Sequence, residues 1–258
     1  MKRKRPNREP DAVVYGIHAV SHFISRFPER VLKLLVAEER QDQRLSRVTD
    51  AAAGLGLKCQ VAPREALERL SEGGAHQGVA AMIRPRPMQN ESDLIALLDN
   101  ISEAPFLLIL DGVQDPHNLG ACLRTADATG VHAVIAPRNR AVGLTPTVRK
   151  VACGASETVP FIQVTNLARA LRELGERDIT RVGTDGDAPD AVFDADLRGR
   201  LALVMGGEGR GLRRLTREHC DLLVSLPMRG AVESLNVSVA TGVCLYVALA
   251  QRRTGGDG

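Results

Sequence analysis

Residues 106–126 read FLLILDGVQDPHNLGACLRTA, and this stretch decides the fold. It opens on Phe106 to Leu110, a continuous apolar run of the length of a strand buried on both faces. A polar loop around Asp115 to Asn118 follows, and then a helical pattern. Runs of the first kind recur at 132–136, 158–162, 179–183, 201–205 and 222–225. Helical stretches separate most of them, over 119–129, 146–152, 166–175 and 211–217. That alternation predicts an α/β fold with a parallel sheet covered by helices on both faces. Thr145-Pro146 and Asn166 suit helix N-termini. The last helix, over about 237–252, is apolar on most sides, which places it in a core or against another subunit.

Upstream the pattern is different. Ile17, Val20, Phe23, Ile24 and Phe27 share one helical face within 16–27. A strand over 31–36, a helix over 41–53, a strand over 58–61, a helix from Pro63 to Leu70 and a strand over 78–83 complete a small α/β/α unit. RPRPMQN at 84–90 carries two prolines and no periodicity, the composition of a linker, and a short helix over 91–99 follows it. The chain therefore divides into a basic arm at 1–10, a small domain at 11–83, a linker at 84–104 and a larger domain at 105–258.

Composition narrows the function. The 258 residues are 44% hydrophobic, enough for a substantial core. The net charge is only +3, but Lys2, Arg3, Lys4, Arg5 and Arg8 crowd the N-terminus against Glu9 alone. Such a cluster reads as a phosphate-seeking arm or as a solvated tail. No apolar segment follows it, so it is not a signal peptide, and no run reaches the roughly 18 apolar residues of a membrane span. Cys59, Cys122, Cys153, Cys220 and Cys244 are odd in number and lack CxxC spacing. They support neither a disulfide framework nor a zinc site, and fit reduced thiols in a cytoplasmic protein. The dispersed histidines form no metal-binding spacing.

Three polar loops follow predicted strands, where open α/β sheets build their sites. The first holds Asn118, at the expected helix N-cap, and Arg124, flanked by Ala121, Cys122, Leu123 and Ala126. A guanidinium on so apolar a helix calls for an anion, either a phosphate or a carboxylate such as Glu208. The second loop is Gly206-Gly207-Glu208-Gly209-Arg210-Gly211. It lacks both the GxGxxG spacing and the Lys-Ser/Thr of a P-loop, since Leu212 and Arg213 stand there. Glu208 suits a ribose or an arginine, and the segment also reads as a plain glycine turn. The third loop carries Ser234, Leu235 and Asn236, with Leu226 upstream. Ser234 and Asn236 point the same way in an extended chain, whereas Asn236 and Ser238 also suit a cap on the final helix. The stretch 183–187 (GTDGD) and the loop at 206–211 are the only support for a dinucleotide-dependent oxidoreductase, and neither has the fingerprint spacing.

NxGxxxRTA, GGEGRG and PMRGxxxSLNVSVA together resemble the three motifs of SPOUT-class RNA 2′-O-ribose methyltransferases of the TrmH/SpoU branch. The similarity extends to GIHAV at 16–20, AHQG at 75–78, FLLILDGVQDPHNLGACLRTAD at 106–127 and RLTREHCD at 214–221. Arg229 and Glu233 are bulkier than the small residues expected beside the third motif. The resemblance implies a C-terminal parallel-sheet domain with a deep trefoil knot and an N-terminal L30e-like domain that binds RNA. It implies S-adenosyl-L-methionine held by Gly206, Leu226 and Leu235, and a polar site of Asn118, Arg124, Glu208, Ser234 and Asn236. It further implies a homodimer through the knotted domain and no metal. The reaction would be methylation of a guanosine 2′-hydroxyl near the peptidyl-transferase centre of 23S rRNA, on free rRNA or a large-subunit assembly intermediate. Alternatives are a tRNA 2′-O-methyltransferase of the same fold and a non-catalytic RNA binder. A guanidinium keeps its proton at neutral pH, so Arg124 is expected to hold a phosphate and acidify the hydroxyl, with Glu208 orienting it.

Overall fold

A computed structural model describes residues 11–38, 43–209 and 211–254. The basic cluster at 1–10 and Arg210 of the glycine loop lie outside the described residues. The chain forms two units, Met1–Pro87 with Cys153–Thr158, and Met88–Ala152 with Val159–Gly258.

The first unit runs β1 (Ala12–Tyr15), α1 (Ile17–Arg26), β2 (Val31–Ala37), α2 (Gln43–Gly54), β3 (Cys59–Ala62), α3 (Arg64–Leu70) and β4 (Val79–Ile83). Its sheet has the order β1-β4-β2-β3, with only β2 and β3 parallel. Strand alternation sends Leu34, Val36, Val79 and Ala81 to one face, where they meet Val20, Phe23 and Ile24 of α1 and Leu45 and Val48 of α2. Leu35, Ala62 and Ala80 face the other way, onto Leu67 of α3. The result is the α/β/α layering that the periodicity predicts. β1 is absent from the sequence reading, and its place comes from antiparallel pairing to β4.

The second unit begins at α4 (Glu91–Asn100), capped reciprocally by Asn90 and Asp93. Leu94 and Leu98 of this helix are buried with Ile162 and Val164, so the helix read as part of the linker belongs to this core. Then come β5 (Phe106–Asp111), α5 (Pro116–Ala128), β6 (Ala133–Pro137), α6 (Pro146–Ala152), β7 (Phe161–Val164), α8 (Leu167–Glu176), β8 (Thr180–Thr184), β9 (Leu201–Gly206), α9 (Arg214–Glu218), β10 (Leu222–Val224) and α10 (Val237–Thr254), with the short α7 (Ala155–Thr158) of the first unit interposed between α6 and β7. The six strands are all parallel, in the order β10-β8-β9-β5-β6-β7. The strand read at 158–162 starts at Phe161 instead. Residues up to Thr158 form α7, which counts with the first unit, and Pro160 intervenes.

One face of this sheet is covered by α4 and α8, with Leu167, Leu171 and Leu174 spaced to line one helical face. Asn166 caps α8 through Arg169 N at 3.0 Å. Leu119, Cys122, Leu123 and Ala126 of α5 are buried, and α5 packs against α6 and α10. From β5 the chain proceeds outward through β6 and β7, then crosses to place β8 and β9 on the other side of β5. The direction of winding therefore reverses between β5 and β9, the position where parallel sheets open a crevice at the strand C-termini.

Candidate active site

All three polar loops emerge near that reversal. Asp111 ends β5 opposite Gly206, which ends β9. Beyond Asp111, the first loop enters α5 at Asp115-Pro116. Asp115 accepts a hydrogen bond from His117 N at 2.9 Å, and Pro116 occupies the first helical position. Asp115, not Asn118, is thus the N-cap, and that backbone hydrogen bond holds its carboxyl below the usual aspartate range. Asn118 lies inside the first turn, where its buried side chain is free of capping duty. Its Nδ2 donates to Oε1 of Glu208 from the glycine loop.

Two of the loop's four glycines, Gly206 and Gly207, make it compact. A Cβ on Gly206 would come to 2.6 Å of Leu212 N, and one on Gly207 to 2.7 Å of the Gly112 carbonyl oxygen. Those neighbours are backbone atoms and cannot swing aside. Gly207 bridges Gly211 in antiparallel fashion and donates its N–H to Asp111 O at 3.1 Å, so the loop folds back across the end of β5.

A cavity of about 290 Å³ sits beside this turn. Gly206 and Glu208 from the second loop line it, together with Leu226, Ser234 and Leu235 around the third. The remaining walls include Thr184, Asp185 and Gly186 at the end of β8. GTDGD at 183–187, paired in the sequence with the 206–211 loop only as weak support for a dinucleotide site, joins this cavity because the strand order places β8 beside β9. Asn236 stands between two lining residues, Leu235 and Val237. Its Oδ1 accepts from Ser238 N at 2.8 Å and Ser238 Oγ at 2.6 Å, so it caps α10. The capping and site readings of this residue are compatible, since its amide nitrogen is left for another acceptor.

Arg124 emerges from α5 as its apolar flanks predict. The helix around it is buried, yet Arg124 itself is exposed. The buried face of α5 is spent on α10: Cys122 Sγ lies 3.6 Å from Thr241 Oγ1, which itself donates to Val237 O at 2.7 Å. Burial pushes the Cys122 thiol up to about 11, so it serves as packing and not as a nucleophile.

In the first unit, His76 and Gln77 line a separate cavity of about 580 Å³ with Arg64 and Glu68. Gln77 Oε1 accepts from Ile17 N at 3.0 Å, tying the start of α1 to this turn, and His76 Nδ1 accepts from Gly78 N at 3.2 Å within it. Among the described residues no group of three or more His, Cys, Asp or Glu is placed to hold a metal ion. No helix among them is long and apolar enough to cross a membrane.

A parallel sheet whose strand ends converge on a glycine turn, an apolar-walled cavity and a ring of uncharged and acidic polar groups is the site of a ligand-binding α/β enzyme. Comparison with known proteins is specific. The SpoU rRNA Methylase family matches residues 105–246, and the RNA 2′-O ribose methyltransferase substrate binding family matches residues 13–89. A protein of Pectobacterium atrosepticum, 23S rRNA (guanosine-2′-O-)-methyltransferase RlmB, is 56% identical over 240 residues, covering 93% of this chain and 98% of its own. Among solved structures, the SpoU methyltransferase AviRb from Streptomyces viridochromogenes aligns with a TM-score of 0.71 at 26% identity, over 95% of this chain and 91% of that one. AviRb in complex with the cofactor AdoMet aligns with a TM-score of 0.71 at 24% identity, over 99% of this chain and 95% of that one, and shares the fold. The chain belongs to the SpoU family of RNA methyltransferases, and its larger unit has the SPOUT fold.

Proposed function

We propose that this chain methylates the ribose 2′-hydroxyl of a guanosine in 23S rRNA, with S-adenosylmethionine as the methyl donor. The observation that carries the reading is convergence: Glu208 of the second loop meets Asn118 of the first, and both Glu208 and Ser234 of the third line one cavity. The guanosine and the rRNA are the substrate named for the Pectobacterium relative, and the cofactor is the one named for the AviRb complex.

The residues present suit that cofactor. The cavity volume of about 290 Å³ falls at the small end of ligand sites, and it opens to solvent beside Leu235. Val224, Leu226, Met228 and Leu235 offer apolar surface for a purine, while Glu208 and Glu233 place negative charge beside a cationic group. When bound, S-adenosylmethionine supplies a methyl already activated on a positive sulfur. The protein then has to align the hydroxyl, exclude water and help a proton leave. Alignment of this kind is worth up to roughly 7–11 kcal/mol. Asn118, fixed by Glu208, with Ser234 and Asn236, would hydrogen-bond ribose or cofactor. Arg124, exposed on α5, would hold the target phosphate, and its fixed positive charge would lower the hydroxyl pKa.

The smaller unit serves as the RNA-binding module in this reading, supported by the substrate-binding family match at 13–89. The basic arm at 1–10 would add phosphate contacts, which makes RNA affinity salt-dependent. A homodimer through the larger unit is part of the proposal. Val239 and Tyr246, two turns apart on α10, are both more than half exposed and form an apolar strip suited to a second copy. A cytoplasmic site of action accords with an rRNA substrate. The test is to map 2′-O-methyl groups in rRNA and tRNA from cells lacking the protein. Loss at one 23S guanosine supports the proposal, whereas loss confined to tRNA assigns the activity there.

A further inference from the structure

Asp111 lies outside the three polar loops, yet its carboxylate is the most enclosed charge at the site, with 0% of the side chain exposed. A charge so buried persists only when paired. Its partner is Arg213, which stands directly after the glycine loop as the N-cap of α9. Arg213 N donates to Asp111 Oδ2 at 2.9 Å. Arg213 Nε lies 2.9 Å from Oδ1, an ion pair bent out of hydrogen-bond alignment. Asp111 also grips the other end of the loop, because its carbonyl accepts from Gly207 N at 3.1 Å. One residue of β5 therefore ties down both the entry and the exit of the segment that carries Glu208. A weaker tie lies on the far side of β9: Arg217 Nη1 of α9 is 2.9 Å from Asp185 Oδ2 at the end of β8.

We infer that Asp111 and Arg213 are positioning residues that set the shape of the glycine loop and, through it, the affinity of the cofactor cavity. Neither residue lines that cavity, so they act through Gly206, Gly207 and Glu208, which do. Arg213→Gln removes the ion pair at Oδ1, while the backbone N–H of residue 213 still holds Oδ2 and Gly207 still holds the entry of the loop. Asp111 is then left buried with its charge only half satisfied, a strain that the loop relieves by opening. The inference rests on the cofactor reading above.

Arg213 is 41% exposed in its side chain, so Arg213→Gln is the variant least disturbing to the core. Calorimetric titration of S-adenosylmethionine into the full-length wild type, Arg213→Gln, Asp111→Asn and the double variant tests the pair, with steady-state kinetics alongside. Residues in direct contact couple by amounts equivalent to about 2- to 150-fold. The expected result for Arg213→Gln is cofactor Kd and KM raised at least about fivefold, with kcat at saturating cofactor and the KM for RNA changed less than about twofold. Because the two act as one unit, the double variant should bind no worse than the weaker single. A cofactor Kd for Arg213→Gln within about twofold of wild type, or losses that multiply in the double variant, overturns the inference. A drop in melting temperature with unchanged Kd also overturns it, since that marks a purely structural pair. If Asp111→Asn does not fold, Arg213→Gln alone decides by its KM-against-kcat split. A wild type that fails to bind S-adenosylmethionine sinks the cofactor reading itself, a result distinct from equal binding by wild type and variant.

Discussion

Replacing Gly206 by alanine adds a single methyl group at the point where β9 turns into the glycine loop. That methyl would lie 2.6 Å from Leu212 N and 2.7 Å from Gly211 Cα, inside van der Waals contact with backbone on the opposite limb of the turn. The turn is pinned by the Gly207–Gly211 bridge and by Asp111, so the limbs separate only by breaking these ties. Overpacking of this kind costs about 1–3 kcal/mol. At about 1.4 kcal/mol per factor of ten, and with the strain placed on the cavity wall, cofactor affinity should fall about 5- to 150-fold. Gly209→Ala is the matched control. Nothing lies within 4 Å of its Cβ position, and its cost is the positive φ of 72° alone. A left-handed non-glycine residue costs about 1–2 kcal/mol, borne at an exposed part of the cavity lining where no backbone opposes the added methyl. Calorimetry with S-adenosylmethionine should therefore rank affinity as wild type, then Gly209→Ala, then Gly206→Ala. Gly206→Ala binding within about twofold of wild type would refute the placement of the cavity against this turn.

Three further outcomes follow from the same geometry. Arg124→Ala should abolish methyl transfer while S-adenosylmethionine still binds, because Arg124 is exposed on α5 outside the cavity wall; near-normal turnover removes it from the reaction. Burial raises the thiols of Cys122 to about 11 and of Cys220 and Cys244 to about 12, so all three should resist Ellman's reagent at about pH 8 until the protein is unfolded; rapid native labelling at these positions contradicts their packing. Asp221 accepts from Arg181 Nε and Arg181 N, both at 2.8 Å, and this pairing holds its carboxyl below the ordinary 3.8. A depressed folded-state pKa stabilises fully above the ordinary value and loses that share as pH falls through the lower one, so Asp221→Asn should flatten the acid decline of the melting temperature; an unchanged slope contradicts it.

Much of the fold is legible because local chemistry and tertiary role agree. Asn166 caps α8 and Leu167, Leu171 and Leu174 face the core, so capping residue and spacing point the same way. The continuous apolar runs at β5, β6 and β9 announce strands buried on both faces. The misplacements have equally local causes. Asn118 looked like the N-cap, but Asp115-Pro116 was the stronger signal three residues earlier. Arg124, by contrast, emerges exposed from a largely buried helix as its apolar flanks predict, because a helix buried on one side presents its other side to solvent. The site is harder. That Asp111 reaches Arg213 across 102 residues, and that GTDGD at 183–187 joins the glycine loop, depends on β5 and β8 flanking β9. Strand order is a long-range property, and nothing in the residues of a single strand encodes its neighbours.

The account rests most heavily on distant loops forming one methyl-transfer site. Its most direct test supplies isotopically labelled S-adenosylmethionine and 23S rRNA from cells lacking the protein, then digests the product to nucleosides. The account predicts label in 2′-O-methylguanosine alone with wild type, and none with Arg124→Ala. Label on a base, or no transfer by a wild type that binds both substrates, would contradict it.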